Sequence, residues 1–221
     1  MERVIENKDE FKAQAIQIHK DFPSLKYSTI QDGSSVVSGE LILEDEYGNH
    51  IDSYKILITP KSPFPTRFPF VYETGGRIPV NIDWHVFADG HCCIKSIPDE
   101  ILICRKGFTL KEFIENEVTP YFFNQKFRET NGYFLNERSH GIKGNIEFFQ
   151  DVFKTKDSPT IIRNLLFIKE RTEPNRVSLC FCGSGEKYRN CHRDGYRLIN
   201  KFSDEELNFF IKMLTLRPME N

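Results

Sequence analysis

Two stretches of the sequence hold the residues able to do chemistry. "HVFADGHCCIK", His85 to Lys95, sets the adjacent cysteines Cys92 and Cys93 just after a glycine turn, with His85 and His91 at its two ends. "CFCGSGEKYRNCH", Cys180 to His192, gathers three more cysteines and a histidine. A thiol does covalent chemistry as its thiolate, with neighbours that stabilise that form. The first stretch therefore offers a nucleophile, a set of metal ligands, or small apolar packing, which is what many free cysteines provide.

The tail is the more specific signal. One residue separates Cys180 from Cys182, and Cys191-His192 follow after a short glycine-containing turn. Three thiolates and one imidazole complete a tetrahedral Zn²⁺ shell with no position left for a substrate, so the site is expected to be structural. Gly183 and Gly185 allow the sharp turn that aims backbone N–H groups at the sulfurs. So short a segment lacks a hydrophobic core, and the metal is expected to supply its folding energy. Residue by residue, "CxCGSGxKYxxCH" resembles the SEC-C motif, a short zinc-binding module at the end of the SecA motor and on many unrelated bacterial proteins. That resemblance implies a structural zinc and docking to another protein.

The chain has 221 residues, enough for one good-sized domain and an appendage. Thirty basic against 32 acidic residues give a net charge of −2, so neither nucleic acid nor an anionic membrane is expected as the main partner. The opening "MERVIENKDEFKAQ" has no apolar signal core, and no apolar run reaches membrane-span length. A cytoplasmic location with reduced thiols is expected. Six cysteines in that setting point to metal binding or catalysis rather than disulfides.

The periodicity predicts the elements that must hold these groups. Phe11, Ala15 and Ile18 lie at helical spacing ahead of Pro23. Two strands, about Val36–Leu43 and Ile51–Thr59, flank the turn "EYGNH", and "PFVYET" adds a short third. Between them "PKSPFPTRFP" is an extended connection. Gly75–Pro98 shows no period and is expected to be loop, anchored by Trp84 and Phe87. Helices follow in "TLKEFIENEVTPYFFNQ" from a Thr109 cap, "NIEFFQDVFK", "SPTIIRNLLFIKE" from a Ser158 cap, and "SDEELNFFIKMLTL" from a Ser203 cap. The order predicts an α+β domain over residues 1–172 and a zinc module with a final helix over 173–221.

Helix, strand meander, proline-rich turn, histidine loop, "GxxC" and closing helices resemble, in that order, the ubiquitin-conjugating (UBC) fold. The likeness runs from about residue 8 to 130, mostly by pattern; Gly90-His91-Cys92-Cys93 carries the motif itself. It implies that Cys93 carries a protein C-terminus as a thioester, that His85 takes the family's loop histidine position, and that Cys92 fills an adjacent apolar one. His91 is a further acid–base or gating candidate. Eukaryotic members have His-Pro-Asn where this chain has His85-Val86-Phe87, and the shorter interval to the cysteine fits the bacterial branch. Asn81, His91 or a backbone N–H is left to support the oxyanion. Asp83, Asp89 and Lys95 are expected to be solvated, and Cys104 to be core.

Stand-alone bacterial relatives accompany cGAS-like nucleotidyltransferases in CBASS antiphage systems. The resemblance thus implies that such an enzyme, or a ubiquitin-like protein, is the cargo, passed on to an acceptor protein. No glycine-rich nucleotide loop is present, so activation must come from elsewhere. Two alternatives stay open: an inactive UBC-like scaffold that binds a partner through the domain and zinc tail, and an unrelated Cys/His hydrolase. A second zinc among His85, His91, Cys92, Cys93 and Cys104 matches no common ligand spacing.

Overall fold

Phe11 and Ala15 put one apolar stripe on the first helix, and both are buried where α1 (Glu2–Gln17) meets the sheet. A single 3₁₀ turn carries the chain on to Lys20. The computed structural model describes residues 2–61, 63–135 and 138–216. Four strands follow as an antiparallel meander in sequence order: β1 (Leu25–Thr29), β2 (Ser35–Glu44), β3 (His50–Thr59) and β4 (Phe70–Glu73). Tyr54, Ile56 and Ile58 alternate onto the inner face of β3, and Leu41 sits opposite Tyr54 across the β2–β3 ladder. The period-2 pattern thus fixes which sheet face meets the helices.

Beyond β4 the chain runs without regular structure except a 3₁₀ turn at Ile82–Trp84. It then enters α2 (Ile97–Lys106), capped by Ser96 with Pro98 in its first turn. Next comes one long helical run: α3 (Leu110–Phe113), a π turn over Ile114–Val118 and α4 (Thr119–Asn131). Thr109 and Glu112 close the expected capping box at its start. Pro120 offers no N–H to the helical ladder, and the π turn immediately before it absorbs that interruption.

Phe68, Phe108 and Phe113 cluster beneath this run, with Phe113 buried and its ring 4.8 Å from that of Phe68. Phe113→Ala removes a ring from a filled interior and is expected to cost about 3–5 kcal/mol in urea unfolding of this unit.

Contacts divide the chain into two units, Met1–His140 and Gly141–Asn221. The second contains α5 (Gly141–Phe153), α6 (Ser158–Lys169), α7 (Arg193–Ile199) and α8 (Asp204–Thr215). The sequence had placed α5 and α6 with the first domain, with the division after residue 172. Instead, Phe149 of α5 packs on Phe210 of α8 at 5.0 Å, and Phe148 on Phe202. An apolar helix face does not name its partner in the sequence, and here the partner lies beyond the cysteines. Asp157, one residue earlier than expected, caps α6; Ser203 and Glu206 form the capping box of α8. Among the described residues, no helix is long and apolar enough to cross a membrane.

Candidate thiol site and metal centre

The glycine turn divides the two adjacent cysteines between core and surface. Val86 and Cys92 face each other in a short antiparallel bridge, closed by Gly90 at φ 89°. Cys92 N–H donates to Val71 O at 2.7 Å, and the Cys92 side chain is 4 % exposed in the core. Alternation then turns Cys93 outward to a half-buried position. Burial pushes the Cys92 thiol up to about 12. Cys104, partly buried against the same core, is also raised to about 12, by burial and then by the Glu100 charge.

Helix α4 holds the histidine loop from the opposite side. Tyr121 Oη donates to His85 O at 2.9 Å, Gln125 Nε2 to Trp84 O at 2.7 Å, and Arg128 to Asp83 O. Three residues at i, i+4 and i+7 on one helix face therefore grip three consecutive carbonyls. Cys93 N–H also donates to His85 O, at 2.7 Å. So held, His85 adopts the left-handed region at φ 55°, which only such a set of contacts sustains in a non-glycine residue. The Arg128 guanidinium lies 4.1 Å over the Trp84 ring and 4.5 Å over Phe134, which in turn packs edge-on to His85.

Into this frame comes a residue the sequence did not single out. His140 lies with its ring 3.9 Å from that of His85. One ligand atom each from His85, Cys93 and His140 lies within 4.8 Å of the other two. Burial lowers the His85 pKa to about 4, helped by the His140 and Arg128 charges, so its imidazole is neutral at physiological pH. His140 lay beyond the reach of local motif reading because it is 47 positions from Cys93, counted as 140 minus 93. Tyr121, Gln125 and Arg128 did leave a trace: they are polar or amphipathic side chains at helical spacing in "YFFNQKFR".

The other expected participants sit elsewhere. His91 Nδ1 pairs with Asp89 Oδ1 at 2.5 Å, and its ring stacks on Phe87 at 4.4 Å. It is not one of the three residues whose ligand atoms gather at Cys93. The Asn81 side chain caps the 3₁₀ turn, its Oδ1 accepting from Asp83 N–H at 2.8 Å. Lys95 pairs with Glu117. Tyr121→Phe removes one of the two donors to His85 O and is expected to cost about 1–3 kcal/mol of stability. Urea titration of Tyr121→Phe against wild type checks this.

In the tail, Cys180, Cys182, Cys191 and His192 each bring one ligand atom within 4.8 Å of the others. Sulfur to sulfur, Cys182 and Cys191 are 3.6 Å apart; His192 Nδ1 lies 3.4 Å from Cys180 Sγ and 3.2 Å from Cys191 Sγ. With Zn–S near 2.3 Å and Zn–N near 2.0 Å, the edges of a zinc tetrahedron are about 3.4–3.8 Å. Two of the three distances fall in that range and the 3.2 Å edge is slightly short of it, so the donor set is compatible with a tetrahedral ion. His192 Nε2 lies 2.9 Å from Phe153 O and donates to it when Nδ1 faces the metal. Backbone N–H groups of Cys182 and His192 point at Cys180 Sγ, and that of Ser184 at Cys182 Sγ. Gly183 and Gly185, at φ 80° and 79°, make that turn possible.

Compared with protein-family models, one segment is matched. Residues 178–194 match the SEC-C motif. No curated protein and no solved structure matches the chain. The SEC-C segment is less isolated than its length suggests. Tyr188 and Tyr196, both buried, flank the ligands, and Phe181 stacks on Phe167 of α6 at 4.6 Å. The motif is thus built into the helical core of its unit rather than standing alone on the metal.

Proposed function

We propose that the chain is a bacterial ubiquitin-conjugating-like enzyme. It carries a protein C-terminus as a thioester on Cys93 and passes it to an acceptor. The observation that carries the reading is the setting of Cys93, a half-buried thiol beside two imidazoles while its neighbour Cys92 is sealed in the core. An inactive scaffold has no use for that asymmetry. Support also comes from the order of elements: one helix, a four-stranded antiparallel meander, an irregular loop ending at the thiol, then helices that pin the loop. That order is the one expected of a UBC-like fold.

Each step is an acyl transfer. The Cys93 sulfur adds to the carbonyl carbon of an activated C-terminal carboxyl group supplied by a partner, and the activating group leaves. An S–acyl bond replaces the bond to that group, and the thiol proton passes to a neighbouring imidazole. The amine of the acceptor then adds to the same carbon and expels Cys93 as thiolate. His85 and His140 are the groups placed to exchange protons, and the α4 grip on the loop keeps them in position. Zinc in the SEC-C motif, held by Cys180, Cys182, Cys191 and His192, is structural and supplies no chemistry to the transfer.

The bacterial setting of the UBC resemblance makes a cGAS-like nucleotidyltransferase the proposed cargo, in antiphage defence in the cytoplasm. The test is intact mass after co-expression with the neighbouring genes. Wild type should carry a protein-sized adduct that dithiothreitol removes, and Cys93→Ser should carry the same mass as a resistant oxyester. Stable complexes with no adduct in any variant would favour the scaffold.

A further inference from the structure

We infer that His85, Cys93 and His140 form a second metal site. It takes a thiophilic divalent cation of the Zn²⁺ type reversibly, and the bound metal masks the nucleophile. Among the described residues, two clusters bring three or more Cys or His ligand atoms within 4.8 Å of one another, and this is the one outside the SEC-C motif. One thiolate and two imidazoles select zinc-like ions over calcium or magnesium, which take oxygen ligands. The two rings meet at 3.9 Å with 70° between their planes, so one ligand atom from each can converge on a shared centre.

His85 is already immobilised through its backbone by Tyr121 and Cys93, and the preceding carbonyls by Gln125 and Arg128. Little ordering remains for the metal to impose there.

The two centres differ in ligand number, and that difference sets their behaviour. The SEC-C set is four protein ligands and closed; the loop set is three, leaving a fourth position to water. A three-ligand, half-buried site exchanges its ion more readily than a closed one. Binding is balanced as Cys93–SH plus Zn²⁺ giving Cys93–S–Zn⁺ plus H⁺, with the proton released to solvent. The sulfur lone pair then faces the metal, and the ion fills the approach that an acyl carbon would use. Metal occupancy and acyl loading are therefore mutually exclusive. This consequence rests on the thioester reading, whereas the metal binding does not.

The test counts metal. Full-length protein is incubated with ZnCl₂ in excess of both sites, desalted and weighed by native mass spectrometry. Wild type and Cys92→Ser should hold two zinc ions per chain, and Cys93→Ser and His140→Ala should each hold one. Wild type holding a single zinc, with the SEC-C ligands occupied, overturns the inference without recourse to any variant that fails to fold. Co-expressed protein separates the two readings. Failure to take up a second zinc after the dithiothreitol-labile adduct has been released and the reductant removed overturns the metal site and leaves the thioester standing. Two zinc ions on reconstitution, with no adduct formed even when the protein is co-expressed and kept metal-free at the loop cluster, do the reverse.

Discussion

Removing the metal from the SEC-C ligands is expected to lower the melting temperature of the Gly141–Asn221 unit by roughly 12–24 °C. In Cys191→Ser, which leaves the His85, Cys93 and His140 cluster intact, the Met1–His140 unit should be left unchanged. Structural zinc in finger peptides binds with about 10–16 kcal/mol at neutral pH. Here much of the unit's core exists without it, since Phe149, Leu165, Phe202 and Phe210 are fully buried away from the ligands. Only part of the binding energy therefore appears as lost stability. About 3 kcal/mol, at about 4–8 °C per kcal/mol for a domain of this size, gives the stated shift. The loss arises because the metal no longer ties Cys180, Cys182, Cys191 and His192 together in the folded state. Differential scanning calorimetry with and without a strong chelator, and on Cys191→Ser, measures it. An unmoved upper and lower transition in protein shown to be zinc-free would contradict it.

At neutral pH, iodoacetamide is expected to modify Cys93 while Cys92 and Cys104 react about a thousandfold more slowly than an ordinary free thiol. Both latter thiols are raised to about 12, roughly three steps above the usual value, so only a trace is thiolate near pH 7.5. Cys92 is also 4 % exposed, which shuts out the reagent as well as disfavouring the anion. Peptide mapping after timed alkylation, with weakly held metal first removed by a brief chelator wash, gives the three rates. Equal labelling of Cys92 and Cys93 would mean that the turn does not divide them between core and surface.

How far these features were legible in the sequence follows from their range. The SEC-C ligands are encoded within 13 residues, Cys180 to His192, and the metal's geometry makes that spacing nearly self-explanatory. β2, β3 and β4 were readable because their alternation is local. So were the Thr109 and Ser203 caps, which each depend on a partner three residues on. β1 was missed because "LKYST" is short and mostly solvent-facing, with Leu25 alone buried in it. α2 was not read from the sequence: the aperiodic stretch was expected to run to Pro98, which stands in the first turn of the helix, where proline is welcome. The boundary at 140/141 and the arrival of His140 beside Cys93 depend on tertiary packing. Spacing along the chain carries no signal for either. That His85 gathers with Cys93 and His140 was equally hidden, since His85 and His91 flank the same turn and only the tertiary placement of His140 distinguishes them.

The central claim is that position 93 carries an acyl group from another protein's C-terminus. Its most direct test is the linkage itself. The dithiothreitol-resistant adduct of Cys93→Ser would be digested and sequenced by tandem mass spectrometry. The expected product is a branched peptide joining the C-terminal carboxyl of a co-expressed partner, foremost a cGAS-like nucleotidyltransferase, to position 93. A branch at another position, or full-length protein with no adduct despite the partner's presence, would contradict the account.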